Sequence, residues 1–368
     1  MTAGTPEDGA VPVAPEIAAA YLQRVPKVEL HVHLEGAVRP ERLVAIFQRH
    51  GLHRELRHPD DLAWLFRHAS FAEFLDHFRF VVTSLRDVQD VYDIAHDLFT
   101  SLRAQNVLYA EVLFSAGIFV RQGMAWNALF DAVSGAEADV LGTVRRGNAL
   151  PRYNMVIDLV RNFGPEDAVK QVDAIVGARH PCVVGVHLGG DEAGFPARGF
   201  QEAFARARQA GLGLAAHAGE AVGAASVRDA VLLLGVTRIG HGIRCLEDAE
   251  LVRALVRGGI TLEVCPTSNV CTGVVPELRR HPLPELLRQG LQVTLGADDP
   301  SFFDTDLTRE HLVAHTVLGL DLDTLDALAD TGVRAAFLPE GVRASASAWL
   351  QRDRAALRRA LRFPGSGS

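Results

Sequence analysis

The chain has no run of about 18 apolar residues that could cross a membrane. It has no lysine and arginine block interleaved with aromatics, and no CxxC pair among its four cysteines, Cys182, Cys245, Cys265 and Cys271. The first absence excludes a helical membrane span. The second, with a net charge of −8, excludes a nucleic-acid surface. The third, in a chain too large to need disulfide staples, points to a reducing cytoplasm. Residues 1–15 lack the basic and apolar regions of a secretory signal. There is no Gly-rich phosphate fingerprint after the first candidate strand, no low-complexity tract and no internal repeat beyond strand–helix alternation. What remains is a soluble chain of 368 residues, 48% hydrophobic, with a large core and a small-molecule partner.

Short apolar or β-branched runs recur at 27–33, 109–115, 154–160, 183–190, 213–220, 238–242, 261–268 and 292–299. Amphipathic helical stretches, such as 165–178, 199–210, 225–234 and 248–258, lie between most of them. Eight strands alternating with helices imply parallel pairing and closure into a (β/α)8 TIM barrel. Residues 16–362 form one barrel domain, with 1–15 and 363–368 as flexible tails. The interval 34–108 is too long for one connection and reads as a helical insertion. Its Trp64, Phe66, Phe71, Phe74, Phe78 and Phe80 either cap the barrel mouth or pack the extra helices together.

The chemistry is concentrated at the strand ends. In His31-Val32-His33 the period-two repeat of a strand places both imidazoles on one face. Later strands end in Gly189-Gly190-Asp191-Glu192, His217-Ala218-Gly219-Glu220, Gly240-His241-Gly242 and Asp298-Asp299. The C-terminal strand ends of such a barrel converge on one mouth. Three or four histidines and one or two carboxylates meeting there suit Zn²⁺ with a position left for water, although ligand type alone also permits Fe²⁺ or Mn²⁺. The remaining histidines, among them His50, His53, His68 and His281, read as surface residues.

Residues 27–36, 189–192, 217–220 and 238–242, Cys265-Pro266-Thr267-Ser268-Asn269 and residues 296–300 together resemble the adenosine deaminase family of the amidohydrolase superfamily. The resemblance implies one Zn²⁺ per chain on His31, His33, His217 and Asp298. It implies Glu220 as the acid that protonates purine N1, and His241 as the residue that orients the attacking water. Asp299 would meet N7 and the Gly190 N–H would meet N3. The implied reaction is hydrolytic deamination at C6 of a purine nucleoside. Adenosine deaminases usually carry Asp where this chain has Glu35, an Arg-Tyr/Phe-Ser-Pro ending where it has Leu113-Phe114-Ser115-Ala116, and Asp where it has His187. Glu at the first position also occurs in adenine deaminases, which normally have a Ser-Ser-Glu segment where Gly190-Asp191-Glu192 stands here. Glu35 and Ser115 stand where the 5′ end of a nucleoside would lie, so the substrate is adenosine or a 5′-modified relative such as 6-aminodeoxyfutalosine. Arg161 is a candidate partner for a substrate carboxylate, or a surface arginine. Adenine deamination is an alternative, as is a decayed purine-binding barrel. An amidohydrolase using a carboxylated lysine is disfavoured, because the fourth strand offers His187 and no lysine.

Overall fold

In the computed structural model, which describes residues 13–68, 70–142 and 150–363, eight strands follow one another around a barrel. They are β1 (Lys27–His33), β2 (Val107–Phe114), β3 (Arg152–Val160), β4 (Val183–Gly189), β5 (Gly213–Ala218), β6 (Arg238–His241), β7 (Thr261–Val264) and β8 (Gln292–Leu295). Each pairs in parallel with the next. β1 and β2 are buried along their whole length, as strands covered on both faces must be. The ring closes beyond β8, where Asp298 bridges to Val32. There the Asp298 N–H donates to the His31 carbonyl at 3.0 Å, and the His33 N–H donates to the Asp298 carbonyl at 2.8 Å. The expected (β/α)8 barrel is the observed fold.

Several strands end earlier than their apolar runs suggest. The run 261–268 leaves the sheet at Val264 because Pro266 opens a helix, Pro266–Cys271, whose first turn suits a residue with fixed φ and no N–H. The run 292–299 stops at Leu295, ahead of Asp298 at φ 61°. His241, at the tip of β6, has φ 59°. A non-glycine residue in this left-handed region costs about 1–3 kcal/mol and persists only where its surroundings hold it, typically at functional sites. Two tail boundaries also move. Pro15 is the first residue of α1 (Pro15–Arg24), and the Phe363 ring packs 5.1 Å from Tyr21 of that helix. Residues 1–12 and 364–368 of the expected tails lie outside the described residues.

The insertion between β1 and β2 contains α2 (Pro40–His50), α3 (Phe71–Ser84) and α4 (Val88–Ala104). The Ser70 hydroxyl accepts the Glu73 N–H at the start of α3, and Asp87 with Asp90 forms a capping box on α4. Its aromatics divide between the two expected roles. Phe74 and Phe78 face the barrel mouth, 5.6 and 5.9 Å from Phe302. Phe66 packs on Phe302 and Phe80 on Phe47, while Trp64 is partly exposed. The side chain of Phe71 lies outside the described ones.

A polar column rises from the barrel floor to the mouth. Arg238 Nε pairs with Glu263 at 2.6 Å, another of its nitrogens pairs with Glu111, and its guanidinium lies 3.8 Å over the Phe337 ring. Glu111 also accepts the Tyr109 hydroxyl and the Phe337 N–H. The second oxygen of Glu263 faces His31 Nδ1 at 2.8 Å. Arg238, Glu111, Glu263 and His31 are all fully buried, so each charge depends on the others for compensation. Replacing Arg238 with Leu removes the cation that lies between two buried carboxylates. The expected cost is about 3–5 kcal/mol of folding stability, measured by urea denaturation; a variant as stable as the parent would refute this reading of the floor.

Candidate active site

A cavity of about 490 Å³ opens at the C-terminal ends of the strands. His33, Ser115, Asp158, Gly190, His217, Glu220, His241, Asp298 and Asp299 form its polar wall. Of the residues singled out in the sequence, His31 lies just beneath this wall and Glu35 behind it. Glu35 is fully buried, and its Oε1 accepts the Ser115 N–H at 2.9 Å, so it supports Ser115 and does not face the cavity. Burial lifts the Glu35 carboxyl to about 7.

The seam between β8 and β1 gathers the candidate ligands. Asp298 Oδ1 lies 3.3 Å from both His31 Nε2 and His33 Nε2. One donor atom each from His31, His33, His217 and Asp298 falls within 4.8 Å of the others. The Ser268 hydroxyl donates to Asp298 Oδ2 at 2.6 Å and holds the carboxylate in place. Gly36 is required beside it, since a Cβ there would stand 1.9 Å from Asp299 Oδ1. Gly190, at φ 92°, leaves room for Asn162 Oδ1, which a Cβ would approach to 2.6 Å.

Hydrogen bonds behind the rings decide which nitrogen faces the centre. Glu263, held ionised chiefly by Arg238 against the penalty of burial, accepts from His31 Nδ1, so that once the ring gives up its other proton the lone pair lies on Nε2. Asp158 stands 2.7 Å from His187 Nδ1, and His187 Nε2 stands 3.0 Å from His217 Nδ1. A carboxylate only accepts, so His187 donates through Nδ1 and receives the His217 Nδ1–H at Nε2. His217 therefore also turns an Nε2 lone pair to the centre. His31 Nε2 is buried and faces Asp298 Oδ1 at 3.3 Å. Two oriented lone pairs, a third imidazole and an ionised Asp298 fit a divalent cation such as Zn²⁺.

The acid–base groups are displaced from their ordinary ranges. Burial, reinforced by Asp298 and Glu192, raises the Glu220 carboxyl well above the usual carboxylate range. Asp299 is pushed up to about 8 by burial, with Asp298 adding to the effect. His241 falls to about 3 through burial and the neighbouring imidazoles. Glu192 clamps the loop that carries Glu220, accepting the N–H groups of Gly219, Ala221 and Val222 at 2.6, 2.9 and 3.0 Å.

Besides that of Glu35 at the 5′ end of a nucleoside, two sequence expectations require correction: the reading of Arg161 and the surface placing of the remaining histidines. Arg161 is neither on the surface nor free for a substrate carboxylate; it is fully buried and donates to the carbonyls of Phe195 and His217, fastening the end of β5. His281 is not a surface residue: it is buried against Asn269, as is His311 against the Leu307 carbonyl. His187, also outside the four histidines first singled out, is buried behind the site. Asp158 and Arg79 were not anticipated. The signal for Asp158 is a lone acid inside the apolar run Val156-Ile157-Asp158-Leu159-Val160; Arg79, on α3, leaves no comparable signal.

The adenosine deaminase family model matches residues 26–348. An adenine deaminase from Chelativorans sp. (strain BNC1) is 38% identical over 331 residues, 88% of this chain and 98% of the relative. An aminodeoxyfutalosine deaminase from Acidothermus cellulolyticus is 36% identical over 334 residues, 88% of this chain and 90% of the relative. The crystal structure of an amidohydrolase from Burkholderia ambifaria with bound zinc superposes with a TM-score of 0.85, at 26% identity and 97% coverage of both chains.

Without a cation, burial lowers the affinity of His31 and His33 for protons, but Asp298, with Glu263 behind His31 and Asp299 beside His33, outweighs it and lifts them to about 10 and 9. These protons must leave before the lone pairs can bind a metal. Zinc loading at pH 7 should therefore release protons, seen in calorimetry as a heat that varies with the ionisation enthalpy of the buffer. Apparent zinc affinity should weaken as pH falls; an affinity flat between pH 6 and 8 would contradict the ligand assignment.

Proposed function

The chain belongs to the adenosine deaminase family, and we propose that it deaminates a 6-aminopurine nucleoside at C6, either adenosine or a relative extended at the 5′ position. Family membership makes it a metal-dependent amidohydrolase, a hydrolase of C–N bonds acting on aminopurines. The proposal concerns which aminopurine it takes and which residues do the work. His31, His33, His217 and Asp298 would hold the cation, one zinc per chain, which when bound makes water acidic enough to ionise near neutral pH.

The remaining roles are those the family resemblance implies, and the properties of the residues support them. Purine C6 is a weak electrophile until N1 is protonated, and the raised Glu220 carboxyl supports its role as the acid that supplies that proton. Asp299, whose carboxyl burial pushes up to about 8, can in its protonated form donate to N7, which accepts. The Gly190 N–H lies on the same wall for N3. His241 orients the attacking water. Ionised by that transfer to N1, Glu220 can take up one proton of the attacking water while the other passes to the departing amine, so that C6 keeps the water oxygen as the 6-oxo group and the C6–N bond breaks to release ammonia.

The observation that carries the substrate assignment is the shape of the cavity beyond this polar ring. Phe74, Phe78 and Val82 of α3, with Ile118 and Phe163, form an apolar outer chamber, and Arg79 stands on its lining. The Arg79 ion pair, 3.4 Å to Asp76, joins two largely exposed side chains and holds the guanidinium weakly. A volume near 490 Å³ is in the range that accommodates drug-sized ligands. A bare two-ring base would leave the apolar lining and Arg79 without a substrate contact. The outer chamber suits a ribose with a further apolar group ending in a negative charge, as in 6-aminodeoxyfutalosine. The adenine deaminase relative favours the free base as a second reading.

Steady-state kinetics with adenine, adenosine and 6-aminodeoxyfutalosine separate these readings. Both nucleosides should exceed adenine in kcat/KM by about tenfold or more, and Arg79→Ala should raise KM for the carboxylated nucleoside alone. A preference for adenine would overturn the assignment. Glu220→Gln should retain zinc and lose about 10²–10⁴-fold in kcat; turnover surviving that change would exclude Glu220 as the N1 acid.

A further inference from the structure

His281 is a buried histidine that the chemistry above leaves unused, and it begins a chain of hydrogen bonds that ends inside the site. The backbone N–H of Leu283 lies 3.1 Å from His281 Nδ1. A backbone N–H can only donate, so Nδ1 is the acceptor and the proton of the neutral ring sits on Nε2. Burial keeps the ring neutral, lowering it to about 4. His281 Nε2 stands 3.1 Å from Asn269 Oδ1, which orients the amide: its oxygen receives this proton and its nitrogen is left to donate. Asn269 Nδ2 stands 3.1 Å from His241 Nδ1. His241 Nδ1 is then an acceptor too, and its proton lies on Nε2. That nitrogen is buried, has no hydrogen-bond partner among the described residues, and faces Glu220 at 3.6 Å and Asp298 at 3.8 Å.

The geometry points to His281, acting through Asn269, as a positioning residue that fixes His241 as a hydrogen-bond donor to the attacking oxygen and denies it the lone pair a general base would need. The contrast with His217 supports this. Both rings end a relay of hydrogen bonds, but one relay starts at a carboxylate and the other at a backbone N–H. An acceptor at the origin turns a lone pair to the centre, and a donor at the origin turns a proton to it. Asn269 and His281 are 0% and 4% exposed, so water does not readily reorient the chain. A donor aimed where negative charge builds in the transition state is worth about 10²–10³ in kcat.

The kinetic consequence rests on the deaminase reading, whereas the proton position is a property of the resting protein and can be tested separately. Zinc-loaded protein labelled with ¹⁵N-histidine should show, by long-range ¹H–¹⁵N NMR, His241 protonated at Nε2 and His281 protonated at Nε2. A proton on His241 Nδ1 would overturn the proposal whatever the substrate proves to be. Asn269→Asp presents acceptors only. It should move the His241 proton to Nδ1 and lower kcat about 10²–10³-fold, with KM and zinc content little changed. Parental kcat in that variant would equally overturn the proposal. His281→Leu frees the amide to flip and should also lower kcat. His281→Gln, whose amide nitrogen can occupy the place of Nε2, should recover most of that loss, which a purely space-filling role for His281 would not produce. If His281→Leu fails to fold, the NMR measurement and Asn269→Asp still decide the matter.

Discussion

Two backbone hydrogen bonds carry the architecture of the site: Asp298 N–H to the His31 carbonyl and His33 N–H to the Asp298 carbonyl. They close the last gap in the barrel, and they join the three residues whose side chains supply most of the candidate ligand set. Ligand spacing is therefore set by sheet geometry, which is stiff, and not by loop conformation. The left-handed backbone at Asp298 follows from the same constraint, because the chain must leave the β8 direction to reach β1 while turning its carboxylate inward. Such strain is tolerable because the rest of the ring fixes both ends of the connection.

Beneath the seam, the barrel interior is charged where a core is ordinarily apolar. Arg238, Glu111 and Glu263 are fully buried, and burying such groups stabilises a fold only when each has its partner. The arrangement costs desolvation, and in exchange it fixes direction. Glu263 is kept ionised by Arg238 and so can only accept from His31. Asp158, held ionised chiefly by His187 against the penalty of burial, plays the same part for His217 through His187. Each candidate ligand ring on these relays is oriented by a group that has no alternative hydrogen-bonding role.

The barrel and its mouth were legible in the sequence because strand alternation and strand-end histidines are local signals. The period-two repeat in His31-Val32-His33 already places both rings on one face, and parallel topology requires the strand ends to meet. The supporting shell was legible only in part. His187 was visible as a departure, but its role depends on Asp158, which stands 29 positions earlier and becomes its partner only when β3 and β4 pair. Arg161 was misread because an arginine just past a strand gives no local sign of whether it turns outward or back beneath the neighbouring strand. His281 was misread for the same reason: it lies in a polar loop sequence, and only the packing of that loop against Pro266–Cys271 buries it.

The substrate is the least legible part of the sequence, and the structure explains why. Relatives with two different substrates in their names match this chain at 38% and 36% identity over nearly its whole length. The difference between them need not lie in the strand-end motifs. In this chain the inner wall of the cavity comes from barrel strands and the loops that close them, where a change of one side chain disturbs ligands and acids together. Much of the outer wall comes from α3, an inserted helix capped by its own Ser70 and resting on the mouth. A residue such as Arg79 can change there without disturbing the seam or either histidine relay. The fold thus separates the strand-end groups that share one hydrogen-bonded seam from a cavity wall on an inserted helix that can vary without touching them.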